Sequence, residues 1–242
     1  MNADKRNRPL ALFVTGTDTG IGKTRVAAGL LCAARRAGWS TAGLKPVASG
    51  CEETPDGLRN DDALALQSQT TLALTYEQIN PVSLRAAIAP HVAARQEGRR
   101  ITAERLEGLC RAVLMQRAGL TVIEGAGGWE VPLSDRQRFP DLVRRLETPV
   151  VLVVGVRLGC INHAVLTARA ILADGLPLAG WVANCIDPAM AEVDATVETL
   201  HNLIPAPCLG VLPQDEAAGA EQVADYLDLT ALGDVDLAGN RR

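Results

Sequence analysis

Short apolar runs alternate along the chain with stretches whose apolar residues recur at helical spacing. Residues 10–15, 42–46, 120–124, 150–154, 178–184 and 208–212 read as strands, and residues 23–37, 101–117, 162–173 and 190–203 read as helices. A strand that is apolar at nearly every position is covered on both faces, and crossover helices between parallel strands provide that cover. The pattern predicts a doubly wound α/β domain, a mostly parallel sheet with helices on both faces. Residues 47–100 are the least regular stretch. Their turn residues and polar groups suggest functional loops, because open parallel sheets bind ligands beyond the carboxyl ends of their strands. No repeat or Pro/Gly/Ser-rich linker divides the chain, so a single domain over 1–242 is expected, with flexible tails at 1–9 and 231–242.

Composition narrows the class. Of 242 residues, 48% are hydrophobic and 21% charged, enough apolar material for a sizeable core. A net charge of -4, with Lys and Arg scattered, disfavours nucleic-acid binding. The polar segment 1–9 lacks the apolar stretch of a secretory signal, and the apolar run 149–156 is too short to span a bilayer, so a cytoplasmic protein without a membrane partner is expected. The six cysteines have no paired C-x-x-C spacing and read as reduced, mostly buried thiols. His91, His163 and His201 share no metal-ligand spacing, and Trp39, Trp129 and Trp181 read as core or interface residues.

The candidate chemistry begins where the first strand runs into Thr15-Gly16-Thr17-Asp18-Thr19-Gly20-Ile21-Gly22-Lys23-Thr24 and then a helix. Strand, glycine loop and helix form the context of a phosphate-binding P-loop. Backbone N–H groups and the helix N-terminus surround phosphate oxygens, Lys23 reaches the β and γ phosphates, and the Thr24 hydroxyl ligates Mg²⁺. Five residues, not the usual four, separate Gly16 from Gly22-Lys23-Thr24. A second metal ligand is expected at Glu124, which ends a strand before Gly125-Ala126-Gly127-Gly128. Lys45 ends another strand at the same edge; taken alone it reads as a snorkelling surface lysine. Asn60-Asp61-Asp62 precedes an apolar-periodic stretch, which makes one Asp a helix N-cap and leaves a carboxylate that could serve Mg²⁺.

In order along the chain, Thr15 to Thr24, Lys45-Pro46-Val47-Ala48-Ser49-Gly50, residues 60–66, Asn80-Pro81, Pro90-His91, Glu124-Gly125-Ala126-Gly127-Gly128-Trp129, Leu158-Gly159-Cys160-Ile161-Asn162-His163 and Gly180-Trp181-Val182-Ala183-Asn184 resemble the motif set of the dethiobiotin synthetases. The resemblance covers residues 10 to about 230 and includes the lengthened phosphate loop. It departs at Gly20, where family members commonly carry Glu, and after Asn184, where Cys185 follows directly.

What the resemblance implies is an ATP-dependent ring-closing carboxylase of 7,8-diaminononanoate, with CO₂ and ATP as co-substrates and Mg²⁺ as cofactor. Lys23 and Lys45 are implied as catalytic residues, and Thr24, Asp62 and Glu124 as metal ligands. The nucleotide would lie against Gly20, Ile21, Gly22, Lys23, Thr24, Arg25, Asp62, Glu124, Gly125, Ala126, Gly127, Asn184, Cys185, Pro213, Gln214 and Asp215. Thr19, Lys45, Ser49 and Gly127 would meet the reacting end of the substrate; Cys160, Ile161 and Asn162, from the second subunit of a homodimer, would meet its distant carboxylate. Two rivals share the loop. A cobyrinic-acid-type amide synthetase usually carries a glutamine-hydrolysing domain, and the chain ends too early for one. A partitioning or cell-division ATPase typically has a second lysine inside the loop, which residues 17–21 lack.

Overall fold

The computed structural model describes residues 9–215 and 217–234. In chain order its elements are β1 (Leu10–Gly16), α1 (Lys23–Arg36), β2 (Thr41–Leu44), β3 (Val47–Ser49), β4 (Glu52–Thr54), β5 (Gly57–Arg59), α2 (Asp61–Ser68), α3 (Tyr76–Ile79), β6 (Val82–Leu84), α4 (Pro90–Gln96) and α5 (Ala103–Leu114). There follow β7 (Leu120–Glu124), α6 (Phe139–Leu146), β8 (Val150–Val156), α7 (Cys160–Ala173), β9 (Leu178–Cys185), α8 (Val193–Leu203), β10 (Cys208–Leu212), α9 (Ala220–Ala224) and a 3-10 helix, Thr230–Asp234.

Six strands form the central sheet in the order β10-β9-β8-β1-β7-β2, and every pairing within it is parallel. The architecture is the expected P-loop-type α/β sheet. All seven residues of β8 are buried, as a strand covered on both faces requires. Alternation along the strands divides the core: Leu12, Val14, Val122, Val151 and Val153 pack with Val26, Leu30 and Leu31 of α1, while Phe13, Ile123, Leu152 and Val154 join Trp129, Phe139 and Trp181 on the opposite face. Phe13 anchors that second layer, edge-on to Trp129 at 6.3 Å between ring centroids.

The direction of the chain reverses around β1, whose neighbours are β7 and β8. A crevice opens above such a point at the carboxyl ends of the strands. Gly16, Glu124 and Lys45 arrive there from β1, from β7 and just past β2.

The stretch 47–100 is more ordered than its sequence suggests: β3 pairs with β6 in parallel, β4 and β5 make a hairpin, and α2, α3 and α4 lie between and after them. β2 stops at Leu44 because the Lys45 N–H turns to the Ile79 carbonyl, 2.8 Å away, and Pro46 has no N–H to offer. The cap of α2 is Asn60, whose Oδ1 accepts from Ala63 N at 3.4 Å, and not one of the aspartates. α6 was not evident in the sequence; Pro140 stands in its first turn, where a missing N–H costs nothing. Of the expected tails, residues 1–8 and 235–242 lie outside the described residues, while Leu232 in the 3-10 helix is buried. Among the described residues no helix is long and apolar enough to cross a membrane.

Candidate active site

β1 delivers the chain into the glycine loop, and α1 begins immediately after Gly22, which sits at φ 86°. No side chain caps this helix and its first turn carries no acidic residue. Its N-terminal amides are therefore left for an external anion. Space is tight at Gly22, where a Cβ would stand 2.2 Å from the Asn184 amide nitrogen. Gly20, at φ +73°, has nothing within 4 Å of where its Cβ would be.

The Lys23 ammonium donates to the Asp18 carbonyl at 2.7 Å. Burial, with Lys45 nearby, pushes the Lys23 ammonium down to about 8, against the pull of Glu124, Asp62 and Asp18. The Asp18 side chain accepts from Thr19 N at 2.7 Å and pairs with Arg157 at 2.7 Å. Arg157 directly follows β8, and this tie between the loop and the approach to α7 escaped the sequence reading. A single charge closing a seven-residue apolar run was its only signal.

Lys45, read alone as a surface lysine, is 3% exposed. Its Nζ lies 2.6 Å from Glu124 Oε1, 2.8 Å from Asp62 Oδ2 and 3.0 Å from the Gly125 carbonyl. The Thr24 hydroxyl donates to the same Glu124 oxygen at 2.8 Å. Asp61 points to solvent, and Asp62 is the aspartate that enters the cluster. Burial by itself would lower the Lys45 ammonium, but Glu124 and Asp62 more than reverse that and raise it. Burial holds the fully enclosed Glu124 carboxyl above its usual range, against the pull of Lys45. For Asp62, Lys45 outweighs burial and lowers it.

Two carboxylates around one ammonium leave a surplus negative charge, and the buried Glu124 Oε2 has no hydrogen-bond partner among the described residues. Together with the Thr24 hydroxyl these are hard oxygen donors. They fit a small divalent cation such as Mg²⁺, which is usually held by one or two carboxylates plus substrate phosphate and water. Among the described residues no group of three or more His, Cys, Asp or Glu side chains could hold a metal unaided.

The loop after β7 lies against the phosphate loop. Gly127, at φ +66°, would put a Cβ 3.6 Å from Thr19 Oγ1, and one on Gly128 would be 3.5 Å from the Gly16 carbonyl. Gly125 is buried and Ala126 half-buried beside it. Ser49 ends β3 with its hydroxyl buried and unpartnered.

At the other side of the loop, the Asn184 amide donates to the Ile21 carbonyl at 2.8 Å and accepts from Arg25 at 3.1 Å. Arg25 also donates to the Pro213 carbonyl at 3.3 Å. Asn184, Arg25 and Pro213 therefore meet, with Cys185 half-buried next to them and Gln214 and Asp215 exposed beyond. Ile21 is buried, and its carbonyl is taken by the Asn184 amide. The third group shares one cleft of about 510 Å³, whose walls include Cys160, Ile161 and Asn162 with Arg157, Met190 and Thr196. Cys160, however, is buried, and its N–H is spent on the Arg157 carbonyl at 3.0 Å.

The parallel sheet, the glycine loop ending β1 and the Lys-Thr pair opening α1 define a P-loop nucleotide-binding protein of the α/β class. Solved structures agree on the fold: the cell division protein MinD of Aquifex aeolicus superposes with a TM-score of 0.55 at 14% identity, covering 89% of this chain and 86% of its own. A ParA family ATPase from Chlorobium tepidum TLS gives 0.53 at 14% identity over 93% and 92%. A family model described as an AAA domain matches residues 10–222. The chain is 61% identical over 223 residues to the ATP-dependent dethiobiotin synthetase BioD of Pseudomonas aeruginosa (strain UCBPP-PA14), covering 92% of this chain and 98% of the relative. Against the enzyme of the same name from Cellvibrio japonicus it is 58% identical over 93% and 98%, and against that from Chromohalobacter salexigens 53% over 90% and 97%. The chain belongs to the ATP-dependent dethiobiotin synthetase family.

Proposed function

We propose that the chain closes the ureido ring of dethiobiotin, converting 7,8-diaminononanoate, CO₂ and ATP into dethiobiotin, ADP and phosphate. The observation that carries this reading is the buried Lys45–Glu124 pair, joined by the half-exposed Asp62 and bonded to Thr24 of the phosphate loop, in a chain 61% identical to a dethiobiotin synthetase.

In the proposed reaction one substrate amine attacks the carbon of CO₂ and loses a proton, giving a carbamate. A carbamate oxygen then attacks the γ phosphorus, the bond to the bridging oxygen breaks, and ADP leaves. The second amine attacks the carbonyl carbon of this mixed anhydride, loses a proton and expels inorganic phosphate. Three anionic groups must therefore be gathered at one place, and phosphoryl transfer asks of the protein chiefly positioning and charge neutralisation.

Lys23, short of charge partners of its own, binds the β and γ phosphates on leaving the Asp18 carbonyl. Lys45 is held by Glu124 and Asp62 where β2 and β7 end, and it stabilises charge on the carbamate and the transferring phosphoryl group. Thr19 and the free Ser49 hydroxyl orient the carbamate, and Gly127 brings backbone within reach. Thr24, Asp62 and Glu124 hold Mg²⁺, which when bound neutralises phosphate charge. Asn184, Arg25 and Pro213 border the base. The open N-terminal turn of α7, through Ile161 and Asn162 more than through the withdrawn Cys160, receives the substrate carboxylate across a homodimer interface. Six free cysteines and the absence of a spanning helix among the described residues support a cytoplasmic enzyme.

The test is phosphate release from ATP with Mg²⁺ and bicarbonate, with and without 7,8-diaminononanoate, alongside mass detection of dethiobiotin. Diamine-dependent release matched by product is the expected result. A folded, ATP-binding sample that gives neither overturns the proposal.

A further inference from the structure

We infer that, granting the proposed roles of Lys45 and Asp62 on which this rests, the Tyr76 hydroxyl and the Asn80 amide are positioning residues of the active site. Lys45 lies one residue beyond the end of β2, where the sheet ladder no longer fixes it. Its main chain is held instead by the end of α3: its N–H donates to the Ile79 carbonyl at 2.8 Å and its carbonyl accepts from Asn80 Nδ2 at 2.6 Å. The Asn80 side-chain oxygen is fixed in turn by the Ser83 hydroxyl at 2.6 Å and the Tyr76 hydroxyl at 3.2 Å.

The same phenol accepts the Asn60 N–H at 2.7 Å. Asn60 caps α2, and Asp62 is the second residue of that helix. One oxygen atom thus joins the main chain that carries Lys45 to the helix that carries Asp62. The loop of bonds closes through the Lys45–Asp62 ion pair at 2.8 Å. Tyr76 and Asn80 are 6% and 2% exposed, so water does not compete for these bonds, and the Arg59 guanidinium lies 4.1 Å from the centroid of the Tyr76 ring. Asp62 itself has a side chain 43% exposed. Ala63 and Leu66, both fully buried, seat the helix itself, and the phenol bridge ties its first turn to the main chain that carries Lys45.

Tyr76→Phe keeps the ring beneath Arg59 and deletes only the bridge. The expected result is a folded enzyme whose kcat falls about tenfold, with the Mg²⁺ concentration for half-maximal rate raised several-fold and KM for the diamine little changed, because misplacement of order 1 Å at a reacting centre costs up to about a hundredfold. Wild-type kcat and Mg²⁺ dependence, well below the unfolding midpoint, would show the bridge to be merely structural and overturn the inference. If Tyr76→Phe folds poorly, Asn80→Ser, which removes the amide joining the phenol to the Lys45 carbonyl, takes its place. A fall in kcat with a raised Mg²⁺ requirement is again the expected result, and unchanged values overturn it. Lys45→Ala run in parallel separates the two readings: if it still forms product, the active-site assignment itself fails, whereas an inactive Lys45→Ala beside a fully active Tyr76→Phe removes only the positioning role.

Discussion

Two buried lysines stand at the same sheet edge, and their surroundings treat them oppositely. Lys45 is given two carboxylates by the protein and is stabilised in its charged form. Among the described residues Lys23 has only the Asp18 carbonyl within hydrogen-bond distance, and burial lowers it to about 8. A lysine already paired by the protein is held at a fixed position, from which it can act on the reacting groups. One buried without its own counter-charge is built for the charge of a ligand. The difference separates a lysine left open for a ligand's charge from one that the protein itself holds in place.

The largest effect expected from breaking that contrast is that of Lys45→Ala, which should abolish ring closure, a loss of about a thousandfold or more. It should also strand Glu124 as a buried carboxylate and lower stability by about 3 kcal/mol, still leaving a folded protein. Lys23→Ala should also be inactive, yet its stability should stay within about 1 kcal/mol of wild type, because no buried carboxylate is orphaned. Denaturant midpoints measured beside product formation check both variants. Equal destabilisation by the two would refute the contrast.

Gly22→Ala comes next. The new methyl would meet the Asn184 amide at 2.2 Å in a backbone at φ 86°. Something must shift, and the amide in the way is the one that joins Ile21 to Arg25. We expect a loss of about 2 kcal/mol from strain and clash, together with ATP binding too weak for calorimetry to detect. Thr24→Val is milder: it removes a hydroxyl from the proposed metal site and should raise the Mg²⁺ requirement about tenfold, at a stability cost of about 1 kcal/mol for the lost bond to Glu124. A rate profile against Mg²⁺ identical to wild type would argue against Thr24 as a ligand.

The phosphate loop was legible in the sequence because its meaning is local. A strand, a run of glycines and a Lys-Thr pair lie within the fifteen residues from Leu10 to Thr24, and the buried strands announce themselves as continuous Val, Leu and Ile. Lys45 was not legible from its own surroundings. One of its partners, Glu124, is 79 residues away, and nothing in Lys45-Pro46-Val47 reveals that burial; only the family resemblance pointed to it. The cap of α2 was misassigned for a related reason: Asn60, Asp61 and Asp62 are all competent caps, and the choice is made by tertiary contacts, Asp62 being drawn to Lys45 and Asn60 held by Tyr76. The small strands of residues 47–84 are three residues long, too short for any periodicity to emerge.

The smallest expected effect sharpens the reading of the loop itself. Gly20 and Gly22 both have positive φ, but only Gly22 is hemmed in. Gly20 occupies the position where the resemblance expects Glu, and a Cβ there would meet nothing within 4 Å. The open space means that a longer side chain has room, while φ +73° means that any non-glycine residue bears the cost of a left-handed backbone, about 1 kcal/mol. Gly20→Ala should therefore unfold slightly earlier in denaturant and leave KM for ATP within about twofold of wild type. If it instead weakened ATP as severely as Gly22→Ala, the backbone conformation at residue 20 would be part of the phosphate site, and the steric contact at Gly22 would no longer distinguish the two glycines.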